Sequence, residues 1–296
     1  MPGLPPNARS ERIEDYKNQC AGIKWHEEKI RAEDGTKLSL CVSSVEQQVD
    51  SPHFSKSVYI LYFQGNASSL PPRLPFLSPV LKVLKEHHHD SVRPTQFIMV
   101  CCSYRGYWRS KGRPSEQGIA KDAVATLEWI KSHCQPQSNV PVIIWGQSIG
   151  AGVATALAAR QELFSDEVAL QSLILETPFI SIRSMLETLY PQKWLPYRYL
   201  WPFLRNHLDS WKALGNLDET AARLRTRTPA ILFLEAGRDE LVPKEHGNLL
   251  ARRCSDLELE HRRVTIGRAL HTDILAYPDG QNAVVDAIRQ AADRSP

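Results

Sequence analysis

Residues 140–161 read VPVIIWGQSIGAGVATALAARQ, and they decide the fold. The apolar run Val140–Trp145 is typical of a strand that is covered on both faces, as the strands of parallel sheets are. Residues Ile149–Gln161 are rich in Ala and Gly, as expected of a helix that packs tightly on such a sheet. Between the two, residues 146–150 form the pattern G-x-S-x-G, which is typical of a sharp turn from a strand into a helix. The stretch therefore predicts a strand, a turn centred on Ser148 and a helix.

Strand and helix patterns alternate on both sides of this motif. Further apolar runs predict strands at Leu38–Val45, Val58–Phe63, Gln96–Ser103, Leu173–Glu176, Ala230–Glu235 and Glu260–Ile266. Helical patterns occur at 115–133, Lys244–Arg253 and Asn282–Asp293. This alternation predicts an α/β fold with a mostly parallel sheet and helices on both faces. The first two or three strands are expected to pair antiparallel, because the turns between them carry little helical pattern.

Two segments lie outside this alternation. Met1–Trp25 is Pro-rich and then charged, and it reads as a loose lead-in to one α/β domain at 26–296. Residues 178–229 separate two predicted strands, and a structureless loop of that length is improbable in a compact domain. This segment begins with a helical stripe and then becomes aromatic, with Tyr190, Trp194, Tyr197, Tyr199, Trp201, Phe203 and Trp211. We therefore predict an inserted cap over one edge of the sheet.

Composition and charge argue against several functional classes. The formal net charge is +3, and acidic and basic residues interleave without the basic face that nucleic-acid-binding proteins present. No run reaches the roughly 18 to 20 apolar residues that a spanning helix needs, and Met1–Trp25 lacks the apolar core of a secretory signal. The six cysteines have no metal-binding spacing and indicate reduced thiols. We expect a cytoplasmic protein without a nucleic-acid partner, metal or cofactor.

The serine motif carries the chemistry. Because Ser148 stands on a sharp turn, Gly146 and Gly150 are required for steric reasons, and the turn lifts the serine hydroxyl clear of the sheet. The helix that follows offers free N–H groups and the positive end of its dipole to an oxyanion. A dinucleotide site is the competing interpretation of glycines at this turn. That site needs G-x-G-x-x-G, whereas residues 146–152 have the spacing G-x-x-x-G-x-G.

A serine nucleophile needs a base, and in this architecture the acid and then the base follow it along the chain. The histidines that follow it are His207, His246, His261 and His271. We predict His271 as the base, because it stands in a loop between the last strand and the last helix. We predict Asp239 as the acid that orients the imidazole, because it lies in the turn after a strand. Glu176 and Glu240 remain alternatives for the acid.

An oxyanion hole needs two backbone N–H donors. The first is expected from Ile149, the residue after the nucleophile. The second is expected from the loop after the strand Val58–Phe63, where residues 64–67 read QGNA. We predict the N–H of Asn66 as this second donor, and that of Ala67 as the alternative.

Five short segments follow one another in a recognisable order. They read YFQGNA at 62–67, YRGYWRS at 104–110, GQSIG at 146–150, RDELVP at 238–243 and HTD at 271–273. Together they resemble the α/β-hydrolase superfamily, in particular a eukaryotic branch that includes fungal Bem-type hydrolases, lysophosphatidylserine lipases and protein depalmitoylases. The resemblance covers roughly residues 25–292. It implies an eight-stranded, mostly parallel sheet and a triad of Ser148, Asp239 and His271.

The sequence departs from this branch at three places. Gln64 stands where the branch usually has His before the Gly-Asn pair, although glutamine can still hydrogen-bond the loop. Trp108 replaces a usual glycine, and its bulk is expected to shape or narrow the site. The N-terminal membrane helix that is frequent in the branch has no counterpart in this sequence, so membrane residence is not expected to carry over.

These residues predict a serine hydrolase that cleaves a carboxylic ester or thioester through an acyl-enzyme intermediate. The substrate is expected to be a lipid-like or acylated small molecule that contacts Gln64, Trp108 and Trp194. The aromatic cap is expected to form a wall for the acyl chain, and contact of the cap with a membrane surface is less favoured. Two alternatives remain open: a non-hydrolytic accessory protein of a biosynthetic pathway, and a serine peptidase of the same fold. The sequence fixes neither the acyl chain, nor the leaving group, nor the oligomeric state.

Overall fold

A sheet of eight strands forms the centre of the described part of the chain. The computed structural model describes residues 7–47, 56–66, 69–86, 94–134, 139–189 and 207–294. The strands are β1 (His26–Arg31), β2 (Lys37–Glu46), β3 (Lys56–Phe63), β4 (Thr95–Ser103), β5 (Val140–Gln147), β6 (Val168–Glu176), β7 (Ala230–Ala236) and β8 (His261–Ile266). Their order is β1-β2-β4-β3-β5-β6-β7-β8, with β2 antiparallel to both neighbours and every other pair parallel. The predicted α/β fold, the mostly parallel sheet and its antiparallel start are confirmed.

Helices cover both faces of this sheet, as predicted. They are α1 (Leu74–Glu86), α2 (Glu116–His133), α3 (Ile149–Ala158), α4 (Ile182–Leu189), α5 (Ser210–Leu224), α6 (Lys244–Asp256) and α7 (Pro278–Asp293). Short 3-10 turns occur at Ile13–Gln19, Pro71–Arg73, Gln161–Leu163 and Ile274–Ala276. One apolar core lies between the sheet and α2, α3, α5 and α6, and a second lies between the opposite face and α1 and α7. None of the helices in the described ranges is long and apolar enough to cross a membrane.

The central strand β5 explains both the fold and the place of the serine. All of its residues are buried, because β3 and β6 flank it in parallel and helices cover both of its faces. This accounts for the continuous apolar run that predicts it from sequence. The carboxyl ends of parallel strands lie at one edge of a sheet. The loops after β3, β5, β7 and β8, which carry the predicted site residues, therefore gather at that edge.

Outside residues 178–229, one strand and one α-helix have no counterpart among the predicted elements. Strand β1 reads HEEKIR, and it pairs only with β2 at the edge of the sheet. An edge strand is often charged, so it shows no apolar run that would reveal it. Helix α1 contains Pro79, which obscures its helical pattern. Of the predicted cap, residues 190–206 lie outside the described residues.

All six cysteines lie in the described part of the chain, and they are free thiols. Cys41 and Cys101 are directly opposite each other on β2 and β4. Burial raises the pKa of both thiols and that of Cys102. A protonated thiol is a poor nucleophile, so these side chains act as core packing rather than as reactive groups.

Candidate active site

Ser148 lies on a sharp turn between β5 and α3. Its backbone φ is 52° and its ψ is −116°, a region that non-glycine residues rarely occupy. Such a conformation costs about 1–3 kcal/mol and is held by its surroundings. The N–H of Ser148 donates to the carbonyl of Glu176 at 2.8 Å, which fixes the turn to the end of β6. The predicted strand, turn and helix around Ser148 are confirmed.

Two glycines make room for this turn. A Cβ atom at Gly146 would lie 2.0 Å from the carbonyl oxygen of Gly150. A Cβ atom at Gly150 would lie 2.1 Å from the carbonyl oxygen of Phe63, at the end of β3. Both contacts are with backbone atoms, which cannot rotate away as side chains do. The G-x-S-x-G spacing is therefore a steric requirement of the close approach of α3 to β3 and β5.

We expect Gly150→Ala to destabilise the protein by about 3 kcal/mol, the upper end of the usual cost of overpacking, because the new methyl group would force α3 away from β3. Gly267→Ala is the matched control, since a Cβ atom at Gly267 meets nothing within 4 Å. We expect the control to change stability by no more than about 0.5 kcal/mol. Urea unfolding measures both, and equal midpoints for the two variants would contradict the steric account.

His271 and Asp239 form a close pair at the same edge of the sheet. Nδ1 of His271 lies 2.9 Å from Oδ2 and 3.0 Å from Oδ1 of Asp239. The two side chains are only 5% and 6% exposed, so water hardly screens the pair. The Asp239 carboxylate also accepts the N–H groups of Leu241 at 2.9 Å and Val242 at 2.7 Å. A carboxylate can only accept from Nδ1, so this contact leaves Nε2 of His271 as the proton acceptor.

Neighbouring acidic residues hold the backbone of the histidine loop. The N–H of His271 donates to Oε2 of Glu240 at 3.0 Å, and the N–H of Leu270 donates to Asp273 at 2.6 Å. Glu240, an alternative for the acid, thus contacts the backbone of His271, whereas the imidazole of His271 contacts Asp239. The contact of Glu240 with the His271 backbone could not be predicted from the sequence, because it depends on how the loops after β7 and β8 meet.

The other alternative acid, Glu176, has different partners. Its Oε1 accepts Nη2 of Arg73 at 2.5 Å and Nε2 of Gln147 at 3.0 Å, and its Oε2 accepts Nε1 of Trp145 at 3.1 Å. The Glu176 side chain is fully buried. Burial alone would lower the pKa of Arg73, but the Glu176 carboxylate and Tyr62 raise it above its ordinary value. Arg73 is therefore a permanent cation beside Glu176.

A cavity of about 660 Å³ brings several of the predicted residues together. Ser148, Ile149, His271, Gln64 and Asn66 all line it. Asp239 lies behind His271. No hydrogen bond joins Ser148 Oγ to His271 within the described part of the chain. Such bonds are often long in enzymes without substrate and shorten when the substrate binds.

The remaining wall of the cavity is largely apolar. Its apolar side chains include Phe76, Phe179, Ile182, Met185, Leu186, Leu241 and Val242, and its polar ones include Arg73 and Gln147. Three of these residues belong to α4, the first part of the predicted cap segment. Trp194, the cap residue that we predict to bind substrate, lies outside the described residues. The described part of the apolar wall therefore comes from α4, from the first turn of α1 and from two loops.

Trp108 lies outside this cavity, contrary to its predicted role in substrate binding. It is buried, and its Nε1 donates to the carbonyl of Glu11 at 2.9 Å. It packs the N-terminal segment onto the sheet. Its φ of 40° lies in the left-handed region, which explains why glycine suits this position in the family it resembles. The bulk of Trp108 thus serves packing rather than the shape of the site.

Two tyrosines hold the loop that carries the predicted oxyanion donor. The hydroxyl of Tyr104 donates to the carbonyl of Gln64 at 2.8 Å, and that of Tyr107 donates to Oδ1 of Asn66 at 2.9 Å. Both tyrosines belong to YRGYWRS at 104–110, one of the five segments that carry the family resemblance. The sequence therefore marks this segment, although it does not show that the tyrosines hold the loop at residues 64–66. The N–H of Ile149 is at the first position of α3 and has no partner within the helix. Ala67, the alternative donor, lies outside the described residues.

The Gln64 side chain is buried among these groups. It is 3% exposed, and among the described residues its Nε2 has no hydrogen-bond partner.

Within the described ranges, no three His, Cys, Asp or Glu side chains converge as a metal site.

Comparisons with known proteins agree with this geometry. A family model described as X-Pro dipeptidyl-peptidase (S15 family) matches residues 77–177. Protein bem46 of Schizosaccharomyces pombe is 32% identical over 198 residues, which cover 66% of this chain and 56% of that protein. Lysophosphatidylserine lipase ABHD12 of Danio rerio is 34% identical over 192 residues, which cover 64% of this chain and 46% of that protein. The chain thus spans about half the length of the curated relatives it matches.

Solved structures show the same fold. An α/β hydrolase from Vibrio vulnificus superposes with a TM-score of 0.65 at 17% identity, covering 97% of this chain and 87% of that one. The esterase Pf2001 of Pyrococcus furiosus superposes with a TM-score of 0.60 at 18% identity, covering 93% of this chain and 92% of that one. The strand order, the turn at Ser148 and the sequence relatives all agree. The described part of this chain has the α/β-hydrolase fold, and its sequence is similar to members of the α/β-hydrolase superfamily.

Proposed function

We propose that the protein is a serine hydrolase that cleaves a carboxylic ester or thioester. In this proposal Ser148 is the nucleophile, His271 the general base and Asp239 the acid that orients it. One observation carries the proposal: the buried His271–Asp239 pair opens onto the cavity that Ser148 lines from its strained turn. Functional sites are where such strain and such buried pairs concentrate.

The chemistry proceeds in two halves. Ser148 Oγ attacks the acyl carbon while its proton moves to Nε2 of His271. The tetrahedral intermediate then collapses, the leaving alcohol or thiol takes that proton, and the acyl group stays on Ser148. Water gives a proton to His271 and attacks the acyl-enzyme. The carboxylic acid leaves, and the proton returns to Ser148.

Two backbone amides are proposed to hold the oxyanion, those of Ile149 and Asn66. The first amide lies at the N-terminus of α3, where the helix dipole favours negative charge. The hydrogen bonds from Tyr104 and Tyr107 support the second, because they fix the loop before any charge develops. Preorganised donors of this kind supply a large share of catalysis in acyl transfer.

The apolar wall supports an acylated, lipid-like substrate. An apolar pocket with a few convergent polar groups is the usual form of a small-ligand site. The resemblance to lysophosphatidylserine lipases and to an esterase points the same way. We therefore propose that the acyl chain lies along Ile182, Met185 and Leu186 of α4, with its carbonyl at Ser148.

A serine peptidase is the second candidate. The S15 family model and the fold of an acylaminoacyl peptidase from Pyrococcus horikoshii, with a TM-score of 0.60, favour it. The same triad would then transfer a peptide acyl group from an amide. The candidates separate on substrates with matched acyl groups: an esterase cleaves p-nitrophenyl esters and spares p-nitroanilides, whereas a peptidase cleaves both.

The substrate proposal is tested by p-nitrophenyl esters of increasing chain length. We expect kcat/KM to rise from acetate to decanoate, because each buried CH₂ contributes about 0.8 kcal/mol. Met185→Ala should then lower kcat/KM for decanoate by roughly tenfold and for acetate by no more than about twofold. Arg183→Ala is the control, because Arg183 lies on the same helix, is exposed and does not line the cavity. Equal losses on acetate and decanoate would contradict the acyl-wall proposal.

A further inference from the structure

A buried ion pair lies at the border of the cavity, where Arg73 is part of the lining, and the mechanism above does not use it. Nη2 of Arg73 is 2.5 Å from Oε1 of Glu176, and the two side chains are 10% and 0% exposed. Replacing a buried ion pair by apolar residues of similar volume is often neutral or stabilising. Stability alone therefore does not account for this pair. Its partners on either side indicate another role.

On one side, Glu176 holds the strand end that carries the nucleophile. Its carboxylate accepts from Gln147 at 3.0 Å and from Trp145 at 3.1 Å. Its carbonyl oxygen accepts the N–H of Ser148 at 2.8 Å. Gln147 directly precedes Ser148, so Glu176 contacts the nucleophilic turn through both its side chain and its backbone.

On the other side, Arg73 holds the loop that carries the base. Its Nη1 donates to the carbonyl of Thr272 at 2.8 Å, and Thr272 directly follows His271. Its Nε donates to the hydroxyl of Tyr62 at 2.9 Å, near the end of β3. The guanidinium thus contacts β3, β6 and the histidine loop at once. Only a planar cation with several fixed donors can make these three contacts together.

We propose that Arg73 and Glu176 are positioning residues that set the location of His271 relative to Ser148. Three hydrogen bonds connect the two residues. They join the Ser148 N–H to the carbonyl of Glu176, the carboxylate of Glu176 to Arg73, and Arg73 to the carbonyl of Thr272, which follows His271. This inference rests on the proposed function, since it matters for catalysis only if His271 serves Ser148. In this proposal neither residue takes part in bond making or breaking, and Arg73, which borders the cavity, acts through the position of His271.

Arg73→Lys tests the proposal, because lysine keeps the charge next to Glu176 but lacks the planar fork of donors. We expect kcat for p-nitrophenyl acetate to fall by about 10- to 100-fold, as a displacement of about 1 Å at a catalytic group can cause. We expect KM to stay within about twofold, because the apolar side chains proposed to hold the acyl group are unchanged and lysine keeps the positive charge at the border of the cavity. Tyr62→Phe removes one of the three acceptors without changing the ion pair, and we expect a smaller loss of kcat.

The control separates positioning from stability. Leu127→Ala removes a buried leucine of α2 that does not line the cavity, so it lowers the melting temperature without touching the site. We expect it to keep kcat within about twofold at a temperature where all variants are folded. A kcat for Arg73→Lys as high as that for Leu127→Ala would overturn the positioning role.

A second readout does not depend on activity. We expect the Nδ1 proton of His271, which the Asp239 carboxylate accepts, to give a strongly downfield proton NMR signal in the folded protein. We expect Arg73→Lys to shift or broaden this signal and Leu127→Ala to leave it unchanged. An unchanged signal in Arg73→Lys would contradict the proposal. If the wild type cleaved no ester, the proposed function would fail, while this signal would still decide whether Arg73 positions His271.

Discussion

Ser148→Ala is expected to lower kcat for ester hydrolysis by about 10⁶-fold, the loss found when a triad serine is removed from a well-studied protease. The reason is chemical, because no other hydroxyl in the described part of the cavity stands on the turn beside Ile149. The fold should remain intact, because alanine removes one atom and the N–H bond to Glu176 does not need the hydroxyl. A melting curve and a p-nitrophenyl ester assay measure both effects.

Ser255→Ala is the matched control for this experiment. Ser255 is an exposed serine on α6, and its hydroxyl donates to the carbonyl of Ala251. The control should retain full activity, and both variants should melt within a few degrees of the wild type. If Ser148→Ala kept even a tenth of the wild-type activity, Ser148 would not be the nucleophile.

Asp239→Asn is expected to lower kcat by roughly 10⁴-fold, by analogy with the same change in a serine protease. Asparagine can present its amide nitrogen to Nδ1 of His271, which stabilises the wrong tautomer and leaves Nε2 unable to accept a proton. The side-chain oxygen can still accept from the N–H groups of Leu241 and Val242, so the turn after β7 should keep its shape. Stopped assays at high enzyme concentration measure a loss of this size.

Glu240→Gln distinguishes the acid from its neighbour. Glu240 accepts the backbone N–H of His271, and glutamine can accept the same bond. We expect a loss of no more than about tenfold, since the imidazole keeps Asp239. The reverse ranking, with Glu240→Gln the more damaging change, would move the acid role to Glu240.

Glu176→Gln is expected to destabilise the protein, even though Asp239 rather than Glu176 is the proposed acid. The structure shows why: Glu176 is the buried counter-ion of Arg73. Removing one partner of a buried pair leaves an uncompensated charge, which costs about 3–5 kcal/mol. The loss of stability should therefore appear first as a lower melting temperature.

Local patterns predicted the parts of the fold that depend on burial within a short stretch. The strand at β5 and the helix at α3 are visible because β5 is covered on both faces and α3 packs closely on it. Strand β1 was not visible, because an edge strand needs no apolar residues. The prediction of the antiparallel start rests on the weak helical pattern between the first strands, because a parallel connection needs a crossover of a dozen or more residues, usually a helix.

The site residues also form two groups: those that the sequence marks locally, and those that only the folded chain brings together. Ser148 and Asp239 stand at strand ends that the sequence marks by motif and by turn, and His271 stands in the loop after the last strand. Arg73 could not be found, because its partners come from β3, β6 and the loop after β8, which meet only in the folded chain. The place of Trp108 outside the cavity could not be predicted for a related reason. Its burial depends on the N-terminal segment, which gives no signal that it packs against position 108.

The central claim is that Ser148 is an activated nucleophile. Its most direct test is a fluorophosphonate probe, which forms a covalent bond only with a serine whose proton a neighbouring base removes. The labelled protein is digested, and mass spectrometry locates the adduct. The account predicts one adduct, on Ser148, that is lost in Ser148→Ala and forms far more slowly in Asp239→Asn. No adduct on the folded wild type, or an adduct on another serine, would contradict it.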